Sequence, residues 1–188
     1  LIEVKFRKDG CMLPGRGRSC SGYAIGYIAQ KWPSWHSFAD ATLEDVYGPK
    51  LANAESLEAS SLDSAILLNN GDGSFAAAPL PLAAQLAPVF GIGLADFNAD
   101  GNLDAFLANN SVAPQCEAGS WNQGYGLLML GDGKGGFSTQ EPDQSGILIP
   151  LCARSVIAAD FNSDGAADLA VSVSDGQAQL ALAAAPKS

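Results

Sequence analysis

Short apolar runs punctuated by glycine and aspartate dominate the chain beyond residue 64. Ile66 to Asn69 and Leu127 to Leu130 each end at a Gly-Asp-Gly turn, and Phe75 and Phe137 then resume the chain as the return strand of a hairpin. Val89 to Ala95 and Val156 to Ala159 run into aspartate-rich loops; Ala105 to Ala108 and Leu169 to Val173 run out of them. Mostly apolar runs of this length predict strands buried between stacked sheets.

Residues 31 to 64 follow another period. Trp35, Phe38, Ala39, Leu43 and Val46 recur at three- and four-residue spacing behind a cap at Ser34, and Gly48-Pro49 ends the pattern. This predicts one amphipathic helix. Leu51, Ala54, Leu57 and Leu62 form a weaker helical pattern over 50 to 63, so a helical hairpin is expected as an insert in a β protein.

The apolar runs belong to a repeat. Leu94 to Ala105, reading LADFNADGNLDA, recurs as AADFNSDGAADL from Ala158 to Leu169, an offset of 64 residues. The hairpin motif from Ile66 to Phe75 recurs from Leu127 to Phe137 at an offset of 60. Two motifs repeating in the same order define a unit of about 60 residues, which suits a four-stranded propeller blade. The fold expected is mainly β: a partial propeller of about three blades with the helical insert, in one domain over residues 1–188.

Length and composition narrow the field. A chain of 188 residues that is 47% hydrophobic and 16% charged is built to bury a core, and no apolar run approaches the ~20 residues of a membrane span. The net charge of -10 is uneven: residues 1 to 31 hold six basic and two acidic residues, +4, leaving -14 for residues 32 to 188. Such acidity disfavours nucleic acid, whose phosphates are gripped by basic faces, and favours cations. Cys11, Cys20, Cys116 and Cys152 show no C-x-x-C spacing, and His36 is the single histidine, so zinc is disfavoured. Four cysteines allow three disulfide pairings; Cys11 with Cys20 and Cys116 with Cys152 is the favoured one, because each pair lies within one segment between repeated motifs. Four buried thiols are the alternative.

The chemistry concentrates in the two acidic loops. Asp96, Asn98, Asp100 and Asp104 occupy positions 1, 3, 5 and 9 of a loop with Gly101 at position 6; Asp160, Asn162, Asp164, Asp168 and Gly165 repeat that spacing. Calcium takes six to eight oxygens at about 2.3–2.6 Å, and alternate side chains of a tight loop converge where a glycine permits the turn. The position-7 carbonyls of Asn102 and Ala166 add an oxygen each, so two calcium ions per chain are expected. An EF-hand would place a bidentate glutamate at position 12, where Leu107 and Val171 stand in strands. The ninth-position Asp104 and Asp168 are expected to close the loops instead.

Other motifs carry less. The Gly-Asp-Gly turns lack the G-x-x-x-x-G-K-[ST] continuation of a phosphate loop. The segment Arg16-Gly17-Arg18-Ser19-Cys20-Ser21 has no G-x-S-x-G frame, and no catalytic set emerges, so a non-enzyme is expected. Trp32, Trp35 and Trp121 are candidates for stacking on sugar rings, although Trp32 and Trp35 better suit anchoring the insert to the sheet.

The calcium-loop motifs, the Gly71 to Phe75 turn and Phe90-Gly91-Ile92-Gly93 resemble the FG-GAP/VCBS repeat proteins, whose blades are shared with the integrin α-chain propeller. Arg16 to Ser21, the segment Phe38 to Tyr47 and Pro79 to Pro88 resemble a C-terminal region of bacterial proteins of the cartilage-acidic-protein (ASPIC/UnbV) type. The resemblance implies a secreted, extracellular or periplasmic β-propeller serving adhesion or protein interaction, with calcium on Asp96, Asn98, Asp100, Asp104, Asp160, Asn162, Asp164 and Asp168. Leu1 to Phe6 matches the strand that follows such a loop, so three blades would belong to a longer chain, a homo-oligomer or an open stack. The expected function is a calcium-binding interaction module with a protein or glycan ligand; the alternative is a carbohydrate-binding or glycan-processing part of a secreted enzyme.

Overall fold

The structure, a computed structural model, describes residues 2–112 and 119–184. The described chain is mainly β and divides into two compact units, Leu1–Ser60 and Ser61–Ser188.

In the first unit, β1 (Val4–Phe6) pairs antiparallel with β2 (Met12–Pro14). The Arg7 guanidinium grips Asp9 at 2.7 Å in the connecting turn. That hydrogen bond, with help from the Cys11 N–H, lowers the Asp9 pKa to about 2. Four short helices follow: α1 (Arg18–Ala24), α2 (Tyr27–Lys31), α3 (Trp35–Ala39) and α4 (Leu43–Tyr47), then a 3-10 segment at Gly48–Asn53. Helices of five to seven residues do not hold alone in water, so packing sustains them. Ile28, Trp32, Phe38, Ala41 and Val46 form their core, with Trp32 and Phe38 edge to face at 5.6 Å.

The helical expectation is corrected in three places. The Ser34 cap is present, but the helix predicted as continuous from Ser34 to Tyr47 is two helices. Thr42 and Asp45 form a second capping box that restarts the chain after Ala41. Helices also occupy 18–31, before the expected insert, because Ile28 and Trp32 bury against Phe38 and Val46. Residues 54–63 contain no helix, and Leu57 and Leu62 are exposed, so that pattern found no face to cover.

The second unit follows the strand pattern closely. β3 (Ala65–Asn69) and β4 (Phe75–Pro79) form a hairpin. β5 (Val89–Ala95), β6 (Asp104–Asn109), β7 (Leu127–Gly131) and β8 (Phe137–Gln140) form a four-stranded antiparallel meander. After one helical turn, α5 (Pro142–Ser145), β9 (Ala153–Ala159), β10 (Asp168–Val173) and β11 (Gln179–Ala181) build a three-stranded sheet in the same sense. None of the described sheets closes into a barrel or ring; a closed propeller is not formed by these strands.

The two larger sheets pack on each other. Phe106 and Ala108 of β6 meet Leu169 and Val171 of β10, with Ile149 and Ala153 completing a buried cluster. The opposite face of β6 is buried too: Ala105 and Leu107 lie with Met129 and Ala84. The Phe90-Gly91-Ile92-Gly93 motif has a direct packing reason. A Cβ on Gly91 would stand 2.9 Å from the Ser155 Cα, and one on Gly93 3.1 Å from Val156 Cγ2, so glycine lets β9 approach the backbone of β5.

Candidate metal centre

Each acidic loop joins the first two strands of its sheet. The loop Asp96–Asp104 leaves β5 and enters β6; the loop Asp160–Asp168 leaves β9 and enters β10. Both take the same path. The fourth position has positive φ in each, at Ala99 (59°) and Ser163 (61°), and so has the sixth-position glycine, at 87° and 86°. Glycine at position 6 is what the turn requires.

Their hydrogen bonds also match. Asp96 accepts the N–H groups of Asp100 at 3.1 Å and Gly101 at 2.8 Å; Asp160 accepts those of Asp164 at 3.2 Å and Gly165 at 2.9 Å. The Asn98 side chain accepts the Asp100 N–H and donates to its carboxylate, and Asn162 does the same to Asp164. Asp100 and Asp164 in turn accept the N–H groups of Asn102 and Ala166. Donation from the Asn102 N–H, then from the Asn98 amide, lowers the Asp100 pKa; the Gly165 N–H is the main cause of a lowered pKa at Asp160.

The ninth-position aspartates sit apart. Asp104 is 0% and Asp168 1% exposed. Asp104 accepts the Phe97 N–H at 2.9 Å and the Gly131 N–H, across the sheet on β7, at 2.8 Å. Asp168 accepts the Phe161 N–H at 2.9 Å and the Ala183 N–H, just beyond β11, at 2.7 Å.

Among the described residues, no three His, Cys, Asp or Glu side chains converge as a metal-holding group. The loop carboxylates are spread over their own backbone N–H groups, and the ninth is turned into the sheet. The donors at positions 1, 3 and 5 are hard oxygens, and apart from the part-buried Asp96 and Asp164 they are exposed; each accepts bonds while keeping further lone pairs. Within the described residues both ion pairs, Arg7–Asp9 and Arg16–Glu3, lie in the first unit, and neither loop has a cationic side-chain partner.

Beside the first loop, Asn98, Asp100, Asp132, Gly136 and Phe137 line an open cleft of about 450 Å³. The Asp132 carboxylate is turned onto its own turn, accepting the N–H groups of Lys134 and Gly136, so Gly131 to Phe137 is a hairpin turn.

The remaining candidates resolve individually. No described pair of cysteines forms a disulfide: Cys11 follows the β1–β2 turn and Cys20 lies in α1, so the expected Cys11–Cys20 bridge is absent. Cys116 lies outside the described residues, and with it the Cys116–Cys152 pairing; the buried Cys152 sulfur accepts the Val112 N–H. In the Arg16 to Ser21 segment, Arg18 binds the Trp32 and Ala29 carbonyls at the end of α2 and lies over the Trp35 ring. Trp32 packs with Ile28, Phe38, Ala41 and Val46 in the helical core of its own unit rather than on a sheet, and Trp35 is exposed. Trp121 is half exposed, its backbone paired with Ser111.

Two features escaped sequence reading. Buried Asn109 and Asn110 hold the segment after β6: Asn110 bonds the Gly124 N–H and carbonyl, and Asn109 accepts the Gly126 N–H. The repeat also extends into a third strand. Ala105 pairs with Met129 and Leu169 with Ala181, which aligns Leu128-x-Leu130-Gly131 with Leu180-x-Leu182-Ala183. That short Leu-x-Leu match was the available signal, hidden by connections of different length. No family model, curated protein or solved structure matches this chain.

Proposed function

We propose that the chain is a calcium-binding repeat module of propeller type, serving protein interaction rather than catalysis. The observation that carries this reading is the duplication: the same nine-residue loop occurs twice, with the same backbone path and the same side-chain bonds. A turn preference alone asks for one or two Asx bonds; here all the hard-oxygen positions of a calcium loop are kept in both copies. The side chains of Asp96, Asn98 and Asp100, and of Asp160, Asn162 and Asp164, would hold the ions with the carbonyls of Asn102 and Ala166. The ion would supply charge neutralisation: three aspartates in each loop repel one another without a cation, so binding favours the folded state by mass action.

Native mass spectrometry with calcium and after chelation tests this reading. Two ions per chain, lost on chelation, are expected; a spectrum with no bound calcium at saturating free ion overturns it. The same spectrum reports whether the module acts as one chain or several.

A further inference from the structure

Among the described residues of the second unit, Asp104 and Asp168 are the buried acidic side chains, and each accepts two backbone N–H groups from different segments. One donor is the third loop residue's neighbour in the same loop, Phe97 or Phe161. The other lies at the end of the third strand, at Gly131 in β7 or at Ala183 just beyond β11. These two donors stand at equivalent places, two residues beyond the partner of the residue that follows each aspartate. The bond is thus part of the repeat, although Gly131 and Ala183 differ in sequence and the segments between differ in length.

We propose that Asp104 and Asp168 are strand staples: each joins loop, second strand and third strand at one end of its sheet, and each loop binds its ion without that carboxylate. The second half of the proposal rests on the calcium reading; the first half stands without it. A carboxyl group removed from water needs hydrogen-bond partners in its place, and two N–H groups provide them. The side chains at positions 1, 3 and 5 bond only within their own loop and can turn toward an ion without disturbing the sheet. Turning Asp104 outward would leave the Gly131 N–H buried and unpaired, a loss the rest of the loop does not replace. This departs from the resemblance, in which the ninth position is a ligand.

Amide hydrogen exchange of the whole chain, with calcium and with chelator, reads the staple directly. The Phe97, Gly131, Phe161 and Ala183 amides are expected to stay protected in both conditions, while the Asp100, Asn102, Asp164 and Ala166 amides, which lie inside the loops, change with the ion. Protection at the four staple amides that disappears on chelation overturns the proposal. Two variants separate the roles. Asp168→Asn is expected to keep two bound calcium ions by native mass spectrometry and to speed exchange at Phe161 and Ala183 by about tenfold or more. Asp164→Asn is expected to drop to one ion with those two amides still protected. An Asp168→Asn chain holding one ion would make the aspartate a ligand and refute the second half. If the unaltered chain binds no calcium, the calcium reading falls, and protection of the four amides still decides the staple. An Asp168→Asn chain that does not fold leaves the decision to exchange in the unaltered protein.

Discussion

The sheet β5–β8 and the sheet β9–β11 start from the same motif and end in different surroundings. In the first, every residue of β6 is buried, because Phe106 and Ala108 face the second sheet while Ala105 and Leu107 face Met129 and Ala84. In the second, Leu169 and Val171 of β10 are buried against the first sheet, but Ala170 and Ser172 are only half covered. The third strands repeat the contrast: Leu128 and Leu130 are half-buried, whereas Leu180 and Leu182 are exposed. The loops nonetheless match bond for bond. Loop geometry is therefore a local property that the nine residues carry with them, while burial of the flanking strands depends on what lies against each sheet.

The contrast is broken most forcefully in the core. Phe106→Ala is expected to cost roughly 3–5 kcal/mol, since a fully buried ring between two sheets leaves a cavity. The change at the corresponding place in β10, Ala170→Gly, should cost under about 1 kcal/mol. Urea unfolding midpoints compare the two, and equal losses would mean that the sheets are covered alike.

Calcium should treat the loops as equals. At free ion a hundredfold above Kd, each occupied loop contributes about 2.7 kcal/mol. Asp100→Ala and Asp164→Ala are each expected to remove one ion and a similar share of the calcium-induced rise in Tm. A large inequality between the two would show that strand burial, not loop bonding, sets affinity.

Beyond the second strand the sheets diverge again. The first leads into a long excursion pinned by Asn110, a fully buried side chain at φ 88°, whereas the second turns within residues 174–178. Asn110→Gly keeps the backbone conformation but strips the Gly124 partners, for an expected loss of about 1–3 kcal/mol. Ser174→Gly should lose less than about 1 kcal/mol. Thermal melts of both variants measure this difference.

The smallest effect concerns the Gly131–Phe137 turn of the first sheet. The N–H groups of Lys134 and then Gly136 lower the Asp132 pKa. Its contribution to folding is present above the unfolded value near about 3.9 and disappears as pH falls through the lower folded value. Melting curves of the unaltered chain and Asp132→Asn should therefore differ slightly at neutral pH and converge in acid. A gap that persists at low pH would assign the role to packing.

Strand positions and the loop repeat were legible in the sequence because they are local. A short apolar run, a Gly-Asp-Gly turn and an acidic loop with glycine at position 6 each bias only their own few residues. Val89–Ala95 is a strand with the bounds that its apolar pattern predicted. The helical region is legible only in part: Ser34 signals its cap, the Thr42 capping box is hidden within a continuous apolar period, and the apolar spacing at Leu51 to Leu62 predicts a helix that no core requires. Cys11 and Cys20 do not form the expected bridge, because proximity in sequence does not bring two Cβ atoms within bonding reach.

What the chain determined by itself is the loop: its composition, its turn and the bonds of positions 1, 3 and 5. What tertiary structure alone decided is the ninth aspartate. Identical in the two repeats and indistinguishable in spacing from a metal ligand, it is drawn into the sheet by an N–H group 27 residues away in one case and 15 in the other. That donor is brought near by strand pairing, and a buried carboxylate takes the partners that the fold places around it.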